Sequence, residues 1–230
     1  MSNDRYVDVN NWPGFKPTII AHDVGGNRDR STAVVGGYCP YFPGALGLKE
    51  FHELPPGLYG SARASALAAV DAGYERNALI IADLSNDASY AEQLRETFGP
   101  RVIGLHIGRN GDGMTFERRL VGGGSLRIYH VGRSHLLERF HSKLQAGEVL
   151  FADGPGARRA FAQLEALETE LRETGTVYKC PAGGHDDLGI SCAMVAWAAD
   201  HPHSQSWVGD MLAARRPYRK PQRYGWGAFT

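Results

Sequence analysis

Aspartates occupy three places in this sequence from which their carboxylates could be brought to one point. Asp23 follows an apolar run at 18–21, Asp83 follows another at 78–82, and Asp186 and Asp187 follow a Gly-Gly turn. Carboxylates gathered at the edge of a core repel one another unless a cation lies between them, and their oxygens favour hard cations such as Mg²⁺ or Mn²⁺. Two such ions about 4 Å apart would bracket a phosphodiester, one activating water and the other stabilising the leaving oxygen.

Each of these residues also has a simpler explanation when it is taken alone. An aspartate such as Asp83 that follows a strand is commonly a turn former. Asp186 or Asp187 could cap the helix that follows and interact with its dipole. His185 could ligate a metal, position a water or only hydrogen-bond the backbone of its turn. The coincidence of three acidic positions at the ends of elements favours a metal site over three unrelated structural roles.

The expected order of strands and helices would bring the first two acids together. Residues 78–82 and 102–107 are apolar runs typical of strands covered on both faces, and helical spacing over 88–98 separates them. This β–α–β order predicts a parallel pair. Functional groups of an open α/β sheet collect at the carboxyl ends of its strands. If the strands that end at Asp23 and Asp83 are adjacent and parallel, their carboxylates emerge side by side.

The remaining pattern predicts further elements around this sheet. The antiparallel partner of the first strand should follow the polar turn at 25–31, and a helix beginning at 187 should dock a third carboxylate against the same edge. The other expectations are strands at 32–38, 48–54 and 176–180, a strand or hairpin at 118–129, helices at 61–72, 134–146, 157–174 and 187–199, and a mobile loop at 108–113.

Composition fits one globular α/β domain. The chain has 230 residues, of which 43% are hydrophobic, and its 25 basic and 25 acidic side chains balance. The three cysteines are scattered, which argues against a zinc motif or a disulfide framework. The N-terminus lacks the pattern of a signal peptide, and no apolar run is long enough to cross a bilayer. We therefore expect a soluble, intracellular protein with no membrane partner.

Taken in order, these motifs resemble the nuclease domain of viral (phage) terminase large subunits, which belongs to the ribonuclease H-like superfamily. The resemblance rests on Ile-Ile-Ala-His-Asp at 19–23, Ile-Ile-Ala-Asp at 80–83 and His-Asp-Asp-Leu at 185–188. The last motif, with its alanine-rich helix behind it, is the most specific. The resemblance covers roughly residues 18–200.

The resemblance implies an α/β fold, with a ribonuclease H-like central mixed sheet flanked by helices. It would occupy 18–205, between an N-terminal extension at 1–17 and a basic, aromatic tail at 206–230. It also implies a DNA endonuclease that uses two Mg²⁺ or Mn²⁺ ions to cut concatemeric double-stranded DNA during genome packaging in a bacterial or phage-infected cytoplasm. The metal ligands would be Asp23, Asp83 and Asp187, with Asp186 as a fourth carboxylate and His185 beside them.

Two departures from the family pattern keep other functions open. The second acid is commonly glutamate and here is Asp83, and no G-x-x-x-x-G-K-[ST] phosphate loop occurs in the sequence. The packaging ATPase is therefore absent from this sequence, which leaves open an isolated domain, a split subunit whose ATPase is another chain, or a relative with a different use. The alternatives are a structure-specific resolvase or repair nuclease, and a non-catalytic packaging or scaffold protein that keeps the fold.

Basic residues suggest where a polyanion would lie. Arg28, Arg30 and Arg109 fall in loops expected around the acidic edge, and Lys143 lies on the helix at 134–146. Such side chains can hold a DNA backbone without reading its sequence. Cations and aromatics alternate at 215–226, so the tail could follow DNA or dock on a protein such as the capsid portal.

Overall fold

In the described part of the chain, nine strands form one mixed sheet. The computed structural model describes residues 6–7, 15–25, 30–38, 45–54, 78–85, 93–95, 98–108, 112–119, 125–173 and 175–201. The strands are β1 (Tyr6–Val7), β2 (Lys16–Asp23), β3 (Ser31–Tyr38), β4 (Leu46–Leu54), β5 (Leu79–Asp83), β6 (Val102–Gly108), β7 (Asp112–Arg119), β8 (Ser125–Gly132) and β9 (Val149–Ala152), with β10 (Glu168–Arg172) and β11 (Gly175–Lys179) in a separate hairpin. The helices with described bounds are α1 (Arg133–Gln145), α2 (Pro155–Glu165) and α3 (Asp187–Asp200).

The strand order across the large sheet is β1-β9-β4-β3-β2-β5-β6-β8-β7. β3 runs antiparallel to both of its neighbours, and β7 runs antiparallel to β8. The other neighbouring strands are parallel. Strands β2, β4, β5, β6 and β8 therefore all point their carboxyl ends toward one edge of the sheet, which we call the carboxyl edge.

Helix α3 packs on the middle of the sheet and organises the larger core. It contacts β2 and β3 most extensively, and α1 and α2 lie beside it on the same face. Its residues 188–199 are all buried, as expected for an apolar helix covered on all sides. Side chains alternate between the faces of a strand, so Ile19 and Ile81 face α3 while Ile80 and Ala82 face a second core on the opposite side.

The structure confirms most of the expected elements. The sheet is mixed and flanked by helices, β2 and β3 form an antiparallel pair, and β5 and β6 form a parallel pair. Residues 118–119 and 125–129 lie on the antiparallel strands β7 and β8, and the helices expected at 134–146 and 187–199 agree with α1 and α3 to within one residue. Residues 93–95 are helical, as expected within 88–98.

The helix expected over 157–174 is wrong beyond Glu165. Leu167 and Leu171 continue the helical apolar spacing, yet the chain leaves the helix at Ala166, and Leu171 lies in β10 with 85% of its surface exposed. β10 pairs with β11 in a hairpin stabilised by ion pairs of Glu170 with Arg172 and Lys179. The cross-strand pairing of this hairpin competes with the helix. The strand expected at 176–180 is thus present as one strand of this hairpin.

Other expectations fall at the margins of the described chain. Tyr6 and Val7, assigned to an N-terminal extension, add an edge strand parallel to β9. The expected helix at 61–72, the centre of the loop at 108–113 and the tail at 206–230 lie outside the described residues. No helix in the described part of the chain is long and apolar enough to cross a membrane.

A substitution at Gly36 tests the packing of α3 on the sheet. A Cβ atom at this position would lie 2.3 Å from Val195 Cγ1 on α3 and 3.2 Å from Leu48 Cδ2. We expect Gly36→Ala to lower the free energy of unfolding by about 1–3 kcal/mol, because overpacking displaces buried side chains. Denaturant unfolding measures this, with Gly154→Ala as the control, since nothing lies within 4 Å of its added Cβ. Equal stability of the two variants would contradict the described packing.

Candidate active site at the carboxyl edge of the sheet

Asp23 and Asp83 lie side by side at the carboxyl edge. The parallel pairing of β2 with β5 matches His22 with Ala82, so the next residues on the two strands are Asp23 and Asp83. Neighbouring strands lie about 4.8 Å apart. Alternation along each strand places both aspartates on the face that carries Ile19 and Ile81, which is the face that α3 covers.

The first turn of α3 is fixed to this pair of strands through Thr32. Thr32 is the register partner of Asp23 on β3. Its hydroxyl lies 3.1 Å from the carbonyl oxygen of Asp187, to which it donates, and 2.7 Å from Ser191 Oγ. Thr32 and Ser191 are both fully buried. The third acidic position is therefore held one strand away from Asp23 by a buried hydroxyl pair.

The amino end of α3 is capped by another helix. Gln163 Oε1 on α2 accepts hydrogen bonds from the backbone N–H groups of Leu188 and Gly189, at 2.9 and 3.2 Å. Asp186 occupies the N-cap position, but its side chain makes no capping hydrogen bond. Capping of this helix was the simpler role considered for Asp186 or Asp187. The side chain of Asp186 does not have that role in the structure.

Asp186 instead pairs with a cation at the same edge. Its carboxylate contacts the guanidinium of Arg133, the first residue of α1, which follows the carboxyl end of β8. The Asp186 side chain is only 13% exposed, and the guanidinium of Arg133 compensates its negative charge. His185 is about half exposed, and its Nδ1 lies 3.7 Å from Asp187 Oδ2.

Ser85 positions the carboxylate of Asp83. The backbone N–H and hydroxyl of Ser85 both donate to Asp83 Oδ1, at 2.9 and 2.5 Å. The N–H of Ile107 on β6 in turn donates to Ser85 Oγ at 2.8 Å. Burial raises the pKa of Asp83, and the hydrogen bonds from Ser85 counteract part of that rise. The aspartate is thus held in an environment that penalises its charge unless a cation is present.

The neighbouring His22 has a structural role. It is fully buried, and its Nδ1 lies 2.8 Å from the carbonyl oxygen of Thr32 across the β2–β3 pair. Burial lowers the pKa of His22 to about 4. The ring is therefore neutral at physiological pH and links the ends of β2 and β3, which carry Asp23 and Thr32.

The basic residues considered for DNA contact differ in their distance from the acidic residues. Arg30 is exposed immediately before β3, at the carboxyl edge. Lys143 lies near the end of α1 and forms ion pairs with Glu148 and Asp200. Asp200 ends α3, about 20 Å from Asp187 at 1.5 Å per residue, so the structure separates Lys143 from the acidic edge. Arg28 and Arg109 lie outside the described residues.

The edge therefore combines carboxylates from three elements, although their side chains are not gathered around one point. Among the described residues, no three His, Cys, Asp or Glu side chains are close enough to hold a metal ion as they stand. The backbone positions of Asp23, Asp83 and Asp187 suit an oxygen-ligated divalent ion, provided that the carboxylates turn toward one another. Sequence reasoning missed Thr32, Ser85, Arg133 and Gln163. Of these, only the Asp-x-Ser turn at 83–85 had a recognisable local pattern.

Solved structures of viral nuclease domains share this fold. The nuclease domain of the large terminase subunit gp2 of bacterial virus Sf6 superposes with a TM-score of 0.57 at 14% identity, over 84% of this chain and 94% of that one. The Mn-soaked, inhibitor-bound human cytomegalovirus terminase nuclease domain gives 0.54 at 10% identity, over 87% and 92%. The Mn-bound nuclease domain of the bacteriophage SPP1 large terminase gives 0.50 at 14% identity, over 85% and 93%.

At these identities the likeness shows the fold. The chain has the ribonuclease H-like architecture of terminase nuclease domains, as the sequence motifs indicated. No protein-family model matches the sequence. No curated protein matches it either.

The raised pKa of Asp83 predicts a pH-dependent stability. An aspartate whose pKa is higher in the folded state than its ordinary value of 3.8 destabilises the fold progressively as pH rises from 3.8 through the raised pKa. We expect metal-free Asp83→Asn to be more stable than the parent at pH 7, and the two to converge below pH 3.8, where both side chains are neutral. Thermal denaturation across this range measures the difference. Parallel pH profiles of the two proteins would show that Asp83 carries no burial penalty.

Proposed function

We propose that this protein is a metal-dependent endodeoxyribonuclease. The observation that supports this most strongly is the register of β2 and β5, which makes Asp23 and Asp83 neighbours on the face where α3 begins with Asp187. The backbones of three aspartates from distant segments lie at the same edge of a sheet whose fold is that of terminase nuclease domains, so that their carboxylates could turn toward one another. Such an arrangement costs stability without a cation and suits hydrolysis of phosphodiesters with one.

Asp23, Asp83 and Asp187 would hold two divalent ions, Mg²⁺ or Mn²⁺. When bound, such ions supply an activated water and charge stabilisation at the leaving oxygen. The cytomegalovirus nuclease domain was soaked with Mn and the SPP1 nuclease domain has Mn bound, which agrees with a site made of carboxylate oxygens. Asp186 would act as a fourth carboxylate only after leaving Arg133, so we assign it mainly to positioning.

The residues around the carboxylates would preorganise them. Ser85 restrains Asp83 by two hydrogen bonds, so this carboxylate is already ordered before substrate binds. Thr32 and Gln163 hold the first turn of α3, and with it Asp187, against the sheet. His185 borders Asp187 from the solvent side, where it could position the attacking water or accept its proton.

The substrate would be double-stranded DNA, and the setting would be genome packaging in a phage-infected cell. This follows from the similarity to terminase nuclease domains and not from any base-reading feature of the chain. A packaging role would require an ATPase, in a separate chain or in another part of a longer protein, and a capsid portal, for which the tail at 206–230 is the candidate contact.

Isosteric substitution of the carboxylates tests the proposal. We expect Asp23→Asn, Asp83→Asn and Asp187→Asn each to lower Mn²⁺-dependent nicking of supercoiled plasmid by at least about 100-fold, because each removes a charged oxygen ligand. Asp153→Asn is the matched control, since Asp153 is exposed and pairs with Arg158. Calorimetry with Mn²⁺ should show the same loss of binding in the three site variants.

Two results would contradict this function. If Asp83→Asn still nicks plasmid as the parent does, the carboxylates do not take part in the reaction. A folded parent protein that neither binds Mn²⁺ nor cuts DNA near neutral pH would favour a packaging or scaffold protein that retains the fold.

A further inference from the structure

A second polar site lies on the same edge of the sheet as the acidic residues. A cavity of about 550 Å³ opens where β4 ends, and its lining is formed by Arg30, Phe51, His52, Glu53, Leu54 and Arg159. Phe51 and Leu54 are the apolar members of this lining, and the other four side chains can hydrogen-bond or carry charge. The volume is large enough for a phosphate group together with part of its sugar.

Strand register sets the distance between this cavity and the acidic residues. Glu53 on β4 pairs with Thr32 on β3, and Thr32 pairs with Asp23 on β2. Glu53 therefore lies two strand spacings from Asp23, about 10 Å. Glu53 and Thr32 share the face of Phe51 and Val34, which is again the face that carries α3. Glu53 in the cavity and Asp23 at the acidic site are thus the two ends of one row of register partners, with Thr32 between them.

A close approach of α2 brings Arg159 into the cavity. A Cβ at Gly156 would lie 2.6 Å from Phe51 Cβ, so only glycine lets the first turn of α2 rest on β4. Arg159 follows three residues later, on the same side of the helix. Its Nε donates to Glu53 Oε2 at 2.6 Å.

The charges in the cavity leave a cationic surplus. Glu53 has a side chain that is only 12% exposed and is paired with Arg159, which itself remains 53% exposed. Arg30 is exposed and adds a second guanidinium. His52 lies 3.4 Å from Glu50 and contributes charge only when protonated. Glu53 engages the Nε of Arg159, and about half of the Arg159 side chain remains accessible to a phosphate, to which a guanidinium can donate two hydrogen bonds.

We propose that this cavity is a subsite for the nucleic-acid backbone, in which Arg159 and Arg30 bind a phosphodiester near the one that is cut. The subsite lies about 10 Å from Asp23, so it binds a different phosphate from the one that the carboxylates would hold. Glu53 acts as a positioning residue that fixes the Arg159 guanidinium. The subsite grips any sequence equally, because it contacts phosphate and not bases. This inference rests on the proposed nuclease function.

The test combines charge removal in the protein with charge removal in the DNA. Steady-state cleavage of a short duplex in Mn²⁺ is measured for the parent, Arg159→Gln, Arg30→Gln and the double variant Glu53→Gln/Arg159→Gln, which leaves no unpaired carboxylate. Arg158→Gln is the matched control, because Arg158 is the neighbouring, more exposed arginine and pairs with Asp153 outside the cavity. Each protein is also assayed on duplexes carrying one neutral methylphosphonate, scanned outward from the mapped cut.

We expect Arg159→Gln and the double variant to raise KM about tenfold with kcat nearly retained. The salt dependence of kcat/KM should become shallower by about 0.9 in log–log slope for the lost phosphate contact. One methylphosphonate at a single position in the scan should slow the parent and Arg158→Gln but not Arg159→Gln, which is the coupling expected for a direct contact. Unchanged thermal denaturation would show that the variants fold.

The possible failures are distinguishable. If the parent cleaves DNA while Arg159→Gln behaves like Arg158→Gln, or if the methylphosphonate effect is the same in both variants, the subsite is overturned and the nuclease function stands. If the folded parent cleaves no duplex in Mn²⁺, the nuclease function is overturned and the subsite with it.

Discussion

The docking of α3 across β2 and β3 is the interaction on which the acidic site depends. Asp23 and Asp83 are made neighbours by the sheet alone, but Asp187 is 104 residues further along the chain than Asp83 and joins them only because α3 rests on the sheet. The buried Thr32 hydroxyl connects the carbonyl oxygen of Asp187 to the strand that pairs with Asp23. Because the core is close-packed, the first turn of α3 moves together with the rest of the helix. A small shift of α3 would therefore displace the Asp187 carboxylate relative to Asp23 and Asp83.

The site also illustrates how a fold tolerates clustered negative charge. Asp186 is neutralised by Arg133, and Asp83 is stabilised by two hydrogen bonds from Ser85 while its burial still raises its pKa. Neither arrangement removes the penalty of keeping carboxylates at the edge of a core, and a divalent ion would remove it. The stability lost at such a site is the usual cost of positioning reactive groups, and the extensive apolar contacts of α3 offset it elsewhere.

Local sequence patterns were sufficient for the strands and helices that bear the aspartates. Apolar runs predicted strands ending at Asp23 and Asp83, and the structure meets the condition that these strands are adjacent and parallel. The contacts that fix the site were beyond such patterns, because Thr32 and Asp187 are 155 positions apart and Gln163 reaches α3 from another helix. The helix expected over 157–174 failed for the same reason, since the pairing of β10 with β11 decides the end of α2.

The most direct test of the account is the anomalous scattering of manganese in crystals soaked with Mn²⁺. Data collected above the manganese absorption edge would locate each ion independently of any assumption about its ligands. The account predicts one or two peaks between the carboxylates of Asp23 and Asp83, with Asp187 completing the coordination by oxygen atoms. Fully occupied peaks elsewhere, with Asp23 and Asp83 turned away from each other and free of metal, would contradict it.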